Sequence, residues 1–170
     1  MGSPIDISVE IRSAEVQRLL RGYEARGKKP PLNFIGGVGL RSVDKKFRDG
    51  GTAEKPWAPL QESTIRGRKH GGDQPLRDTS KLWKSFDANI LPGLNVRIAA
   101  NAVTEDGFPY ALPLHFGVRT MPGKSVSRPW FIPPRPMAKW ENEDMKLIIN
   151  ALAHHLHGEK IPPLPPRRKS

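Results

Sequence analysis

The sequence predicts an α+β domain in which a small antiparallel sheet is packed by about three helices, with extended N- and C-terminal arms. Apolar residues recur at helical spacing in three stretches, two alternating segments flank a Pro-Gly turn signal, and both ends favour extended backbone. The 170 residues suit one domain. We expect residues 1–160 to form it, with a core at about residues 5–157, and residues 161–170 to be a flexible Pro-rich basic tail.

The first elements are predicted to be a strand and then a helix. Period-two alternation indicates a strand whose apolar side is formed by Ile5, Ile7, Val9 and Ile11. Ser13 can cap the helix that follows, and Gly27 with the two prolines after it can end that helix.

A second helix is predicted from about Phe34 to Arg48. It contains the glycine-rich run Gly36-Gly37-Val38-Gly39, which lacks the spacing of a dinucleotide fingerprint and the Lys-Ser/Thr ending of a phosphate loop. We therefore interpret the run as a helix that tolerates close neighbours, or as a frayed helix start.

An irregular stretch follows the second helix, and two interpretations of its tryptophan stay open. Trp57, bracketed by prolines, is either an aromatic plug that holds a loop to the core or a side chain presented to a partner. Ser63 or Thr64 is expected to start a short helix. The segment 66–74 is basic and glycine-rich, which predicts an exposed loop.

The second half of the chain predicts a hairpin and a long helix. Asp78 or Thr79 is expected to cap a short element that leads into strands at 85–91 and 95–100, joined by a Pro-Gly turn. An amphipathic stripe then predicts a helix from about Met137 to His157.

The charge of the chain favours contact with polyanions. Its 28 lysines and arginines against 17 acids give a formal charge of +11. Basic residues cluster at Arg66-Gly67-Arg68-Lys69-His70, at Lys45-Lys46 with Arg48, and at Arg167-Arg168-Lys169. There is no cysteine, which excludes disulfides and thiolate zinc sites, and no apolar run is long enough to suggest a membrane span.

No pattern of catalytic or ligand residues stands out. His154 and His157 share a helix face but lack a carboxylate at complementary spacing, so we interpret them as solvated histidines near a helix end. The prolines of the tail fit a PxxPxR pattern, for which a basic arm laid on a neighbour, or plain disorder, is the preferred interpretation. We expect no metal, no cofactor and no enzymatic activity, although an enzyme acting on DNA stays open.

Several short motifs in a fixed order carry a resemblance to a known family. They are Phe47-Arg48-Asp49-Gly50-Gly51, Trp57-Ala58-Pro59-Leu60, the set Leu76, Thr79, Leu82 and Ser85, then Tyr110-Ala111, His115-Phe116-Gly117 and Ser127-Arg128-Pro129-Trp130-Phe131. In this order they resemble the phage virion morphogenesis family, the Mu-like and related tail-completion and neck proteins of tailed bacteriophages. The sequence departs from the family pattern at three steps. Ser80 stands where the family usually has glycine after the threonine, the His-x-x-Gly step is compressed to His115-Phe116-Gly117, and Ser127 and Trp130 replace residues of the usual Pro-x-Arg-Pro-Phe step.

The resemblance implies a structural virion protein at the head–tail junction. Similar proteins form rings between the portal or connector and the tail, which suggests tail completion or tail termination and a homo-oligomer, with a hexamer expected from the sixfold symmetry of tails. The implied partners are copies of the chain itself, the portal, connector or head-completion proteins and the tail tube protein, with non-specific contact to packaged DNA and no membrane. The implied location is the virion neck, after assembly in the host cytoplasm.

Two sets of residues are predicted to make these contacts. We expect DNA or the ring lumen to be faced by Arg66, Arg68, Lys69, Arg167 and Arg168. We expect neighbouring subunits to be contacted by Trp57, Trp130 and Phe131. The alternative function is a free DNA-binding packaging or regulatory protein, which would bind DNA with steep salt dependence.

Overall fold

A computed structural model of the chain describes residues 13–70, 72–92, 95–120 and 130–164, and within them the chain forms six helices and four strands. The elements are α1 (Ala14–Ala25), α2 (Leu32–Asp49), α3 (Glu62–Arg66), α4 (Lys81–Lys84), β1 (Phe86–Leu91), β2 (Asn95–Ala100), α5 (Ala111–Phe116), β3 (Val118–Thr120), β4 (Trp130–Ile132) and α6 (Asn142–His157). The predicted α+β class is confirmed. The predicted N-terminal strand and the last six residues of the predicted tail lie outside the described residues.

Helix α1 begins where the sequence predicts. The Ser13 hydroxyl accepts the backbone N–H of Val16 at 3.5 Å. The apolar side of α1 packs on α6. Tyr23 links the two helices, because its hydroxyl donates to the Leu152 carbonyl at 2.8 Å.

No helix in the described part of the chain combines the length and the apolar content needed to cross a membrane.

Helix α2 lies at the centre of the fold and packs on the β1–β2 hairpin through its glycines. A Cβ at Gly36 would lie 3.0 Å from the Ala88 Cβ. A Cβ at Gly39 would lie 2.7 Å from Ile98 Cδ1, 2.8 Å from Ile98 Cγ1 and 3.0 Å from Trp140 Cη2, so rotation of one side-chain tip would not relieve it. The glycines therefore let the helix and the hairpin approach closely. Of the interpretations of the glycine-rich run, the helix with close neighbours is confirmed, since α2 begins before the first of these glycines.

Substituting Gly39 by alanine is expected to lower the free energy of unfolding by up to about 2 kcal/mol. Overpacking costs about 1–3 kcal/mol, and the better helix propensity of alanine offsets only about 1 kcal/mol. The matched control is Gly37→Ala, whose Cβ meets only the tip of the Leu164 side chain, at 2.8 Å. That side chain can rotate away, so the control should be neutral or stabilising. Urea unfolding of both variants tests this, and equal effects would contradict the close packing of α2 on the hairpin.

The described residues bury two apolar clusters on either side of α2. The first joins the C-terminal half of α2 to the hairpin, with Phe47 packing against Trp57, Trp83 and Phe86. The second joins the N-terminal half of α2 to α1 and α6. The candidate site lies over the first cluster.

The predicted hairpin is confirmed, but the short helix before it starts differently. Strands β1 and β2 pair antiparallel with Phe86 opposite Ala100 and Leu91 opposite Asn95. The residue before α4 is Ser80, not Asp78 or Thr79 as predicted, and Ser80 has a φ of 54° with no side-chain cap bond. That φ lies in the left-handed region, where glycine is favoured over residues with a Cβ.

The last helix begins five residues later than the sequence predicts. Met137 is fully buried in non-helical backbone, and α6 starts at Asn142. The start is set by a capping box in which Glu141 accepts a backbone N–H and Asp144 accepts the Glu141 N–H at 2.9 Å. The apolar stripe continues through this non-helical segment, which is why helical spacing alone places the start too early.

Candidate interaction groove and basic surface

A groove of about 840 Å³ opens over the first apolar cluster. It lies between the segment that follows Trp57, the loop before α4, helix α5 and strand β4 with the residues after it. Its lining residues are Ala58, Pro59, Leu60, Gln61, Thr64, Arg68, Leu76, Asp78, Thr79, Leu82, Tyr110, Leu114, Phe131, Ile132, Pro133 and Arg135. The groove therefore combines an apolar floor with two arginines and hydroxyl groups.

Trp57 anchors one wall of the groove from inside the core. Its side chain is 6% exposed, packs edge-on against Phe47 at 5.4 Å between ring centroids, and donates from Nε1 to the Pro136 carbonyl at 3.3 Å. Gly51 makes room for the Trp57 backbone, because a Cβ at residue 51 would lie 2.7 Å from the backbone nitrogen of Trp57. Of the two interpretations of Trp57, the structure supports the aromatic plug, and the residues after it form the groove wall. Contact of Trp57 with a neighbouring subunit stays a prediction.

Helix α5 holds the opposite wall through two hydrogen bonds to the chain after β4. The Arg135 N–H donates to the Leu114 carbonyl at 2.9 Å, and the Met137 N–H donates to His115 Nδ1 at 3.1 Å. His115 is therefore a structural acceptor, as its position beside an aromatic and a glycine indicates. The bond requires Nδ1 to be unprotonated.

The acceptor role of His115 makes stability depend on pH. Burial, and secondly the positive charge of Lys46, lowers the pKa of His115 below the ordinary 6.5. Below about pH 6.5 this histidine is protonated in the unfolded chain but stays neutral in the folded chain. The free energy of unfolding should therefore fall as the pH decreases, by up to about 1.4 kcal/mol per pH unit. The loss should continue down to the folded-state pKa.

The matched variant is His115→Asn, whose Oδ1 can still accept the Met137 N–H but cannot titrate. Urea unfolding from about pH 7.5 to about pH 5.5 should show a shallower decline for the variant than for the natural chain. Parallel declines would contradict a titrating role for His115.

Two arginines line the groove and lie close enough to influence each other. Arg135 is 5% exposed, its Nη2 donates to the Ala58 carbonyl at 3.1 Å, and its Nε is buried without a hydrogen-bond partner. Burial, and then the charge of Arg68, lowers the pKa of Arg135. Arg68 donates from Nη1 to the Gly72 carbonyl at 2.9 Å. The groove thus carries concentrated positive charge.

The predicted DNA-facing residues do not all play the same part. Arg68 lines the groove, whereas Arg66 is exposed and pairs with Glu62 at 2.8 Å within α3. Lys69 is exposed on the loop that follows α3. Arg167 and Arg168 lie outside the described residues. Contact of these five residues with DNA stays a prediction.

Of the two aromatic contacts predicted in β4, Phe131 lies at the groove. Phe131 lines it and is 61% exposed, so a large apolar side chain is available to a partner. Trp130 belongs to β4 by its backbone, and its side chain is outside the described residues. Phe116, at the end of α5, is also largely exposed.

Sequence reasoning missed a buried charged network between α2 and α6. Lys46, assigned above to a basic cluster that favours polyanions, is 0% exposed, which corrects that assignment. Its Nζ lies 3.1 Å from Glu141 Oε1 and donates to the Ser42 hydroxyl and the Lys139 carbonyl, both at 2.7 Å. Ser42 in turn donates to Asp144 at 2.6 Å. The sequence did carry a sign of this burial, because helical spacing puts Lys46 on the apolar side of α2.

This network and the terminal histidines are structural in their contacts. Ser42 and Lys46 are buried and do not line the groove, so their pairing joins two helices. His154 contacts Glu159, and His155 stacks on Tyr23. Within the described residues, no group of three or more histidines and acids is arranged to hold a metal ion.

The chain matches no known family model, no curated protein and no solved structure. Its function is therefore argued from its own motifs and from the geometry of the groove.

Proposed function

We propose that this chain is a structural protein of the head–tail junction of a tailed bacteriophage, a ring-forming tail-completion or tail-terminator protein that joins the tail to the DNA-filled head. Its partners would be copies of itself, the portal, connector or head-completion proteins and the tail tube protein. It would assemble in the host cytoplasm and reside in the virion neck.

The observation that carries the proposal is the convergence of the motifs that resemble the phage family. Motif residues that are far apart in sequence meet in or against the first apolar cluster, namely Phe47, Trp57, Leu76, Leu82, Tyr110 and Ala111. These motifs therefore contribute to one core, as motifs that determine a shared fold would.

The glycine positions of the motifs have a physical requirement as well. Gly50 and Gly51 have φ values of 70° and 117°, and Gly117 has a φ of 76°. Ser80, with its φ of 54°, stands where the family pattern has glycine. Ser80 thus has a backbone conformation that favours glycine. Such a conformation is expected where serine has replaced the glycine of a conserved turn pattern.

The groove and the charge are both compatible with an assembly protein. A ring subunit needs a recess that accepts a neighbour and a net positive charge compatible with a DNA-containing lumen. The groove beside the exposed Phe131 supplies the first, and the formal charge of +11 supplies the second. A hexamer is proposed because phage tails have sixfold symmetry.

A nonsense mutation in the gene of the encoding phage tests the proposal. We expect lysates to contain DNA-filled heads and separate tails by electron microscopy, with infectivity restored when the natural chain is supplied from a plasmid. Joined virions in the absence of the protein would overturn the proposal. Free heads lacking DNA would instead indicate a role before head completion.

The formal charge of +11 also favours the alternative, a free DNA-binding packaging or regulatory protein. Equilibrium binding to duplex DNA at several salt concentrations separates the two. The junction role predicts weak binding by the isolated chain. Tight binding by a monomer, falling steeply with salt, would favour the alternative.

A further inference from the structure

The groove contains positive charge that the described part of the chain does not neutralise. Arg135 is almost fully buried, its Nε has no hydrogen-bond partner among the described residues, and burial, followed by the charge of Arg68, lowers its pKa. Asp78 is the one acid in the lining, and its carboxylate accepts the His70 N–H at 3.2 Å without pairing with either arginine in the described part of the chain. A carboxylate brought into the groove would therefore meet favourable charge.

The chain has two carboxylate side chains that the described residues do not contain. Of its 17 acids, all except Asp6 and Glu10 lie in the described ranges. Both belong to segment 4–11, which is the segment predicted to be a strand. In an extended backbone Asp6, Ser8 and Glu10 point to one side, and Ile5, Ile7, Val9 and Ile11 to the other.

This two-sided pattern matches the lining of the groove. Guanidinium groups of Arg68 and Arg135 share the recess with apolar side chains, among them Leu60, Leu76, Leu114 and Phe131. Strand β4 contributes lining residues and pairs on one edge only, with β3, within the described residues. Its other edge is suited to accept an added strand.

We infer that segment 4–11 of one copy of this chain binds in the groove of a neighbouring copy, with Asp6 or Glu10 paired to the two arginines. A neighbour is the inferred donor because α1, which follows the segment, packs on α6 in the second apolar cluster, whereas the groove covers the first. The inference deepens the proposed ring and rests on it, since it names the contact that links successive subunits.

Cysteine pairing in the full-length chain tests this contact directly, because the natural sequence has no cysteine. One preparation carries Ile7→Cys alone and a second carries Thr64→Cys alone, Thr64 being an exposed lining residue. The two are mixed, oxidised and separated on a non-reducing gel. We expect a disulfide-linked dimer of one chain of each kind, identified by mass spectrometry.

In the matched control, the second preparation carries Glu24→Cys instead of Thr64→Cys. Glu24 is exposed on α1 and is not among the groove lining residues. Adding Arg68→Glu to the Thr64→Cys chain should lower the dimer yield about tenfold, because it places like charges opposite each other. Adding Asp6→Lys and Glu10→Lys to the Ile7→Cys chain should restore the yield. This rescue distinguishes a charge contact from loss of folding.

The possible outcomes separate the inference from the proposed function. Dimer yields no higher than the Glu24→Cys control, in a chain that light scattering shows to be oligomeric, would overturn the inference and leave the ring intact. A bond formed only within single chains of the double variant Ile7→Cys/Thr64→Cys would overturn the exchange between copies. The expected dimer, together with joined virions in the nonsense mutant, would contradict the proposed function alone.

Discussion

Replacing Lys46 with methionine is expected to lower the free energy of unfolding by about 3 kcal/mol, the lower end of the range for losing one partner of a buried ion pair, because the Glu141 partner is 26% exposed. The ammonium group is fully buried and is surrounded by Glu141, the Ser42 hydroxyl and the Lys139 carbonyl. Methionine keeps most of the side-chain volume but removes every donor. Glu141 and Ser42 would then lose a partner at the point where α6 begins.

The neighbouring lysine provides the matched control. Lys45 pairs with Glu143 at 3.1 Å, but its side chain is 43% exposed. Water replaces such a partner readily, so Lys45→Met should cost less than about 1 kcal/mol. Urea unfolding followed by circular dichroism compares the two. Equal losses would contradict a special role for the buried network in docking α6 on α2.

Replacing Trp83 with alanine is expected to cost about 4 kcal/mol, the middle of the range for buried aromatic truncations. The indole is buried, stacks on Phe47 with ring centroids 5.7 Å apart, and donates from Nε1 to Asp44 at 2.8 Å. The change therefore leaves a cavity in the first cluster and removes a donor from a buried carboxylate. Because domains of this size are stabilised by about 5–15 kcal/mol, the variant should unfold at much lower urea concentration.

Two further variants define the cause of that loss. Trp83→Phe keeps the stacking but not the donor, and should cost about 1–2 kcal/mol. Phe131→Ala removes an aromatic ring that is largely exposed and should change stability by less than about 0.5 kcal/mol. If the Phe131 variant were as destabilised as the Trp83 variant, Phe131 would belong to the core and not to an interaction surface.

The regular elements could be predicted because each depends on local pattern. Helical spacing and the Ser13 cap locate α1, and the alternation around Pro92 locates the hairpin. The start of α6 could not be placed, because the apolar stripe runs on through non-helical residues and only the capping box at Glu141 decides where the helix begins. Ser80 could not be foreseen as the residue before α4, since a serine gives no sign of a positive φ.

The candidate site could be predicted only in part. Phe131 and Arg68 were singled out from the sequence, and both line the groove. Arg135 was not, because its burial and its closeness to Arg68 arise from folding of segments that are far apart in the chain. Lys46 was misassigned for the same reason, since a lysine in a basic run does not show that α6 will cover it.

The most direct test of the central claim is cryo-electron microscopy of purified virions of the encoding phage, with reconstruction of the neck. We expect a symmetric ring between the connector and the tail tube, into whose subunits α2, the hairpin and α6 fit as described. In the same map, a strand from the adjacent subunit should lie beside Arg68 and Arg135. A neck whose density is fully accounted for by other proteins, in virions that lack this chain by mass spectrometry, would contradict the account.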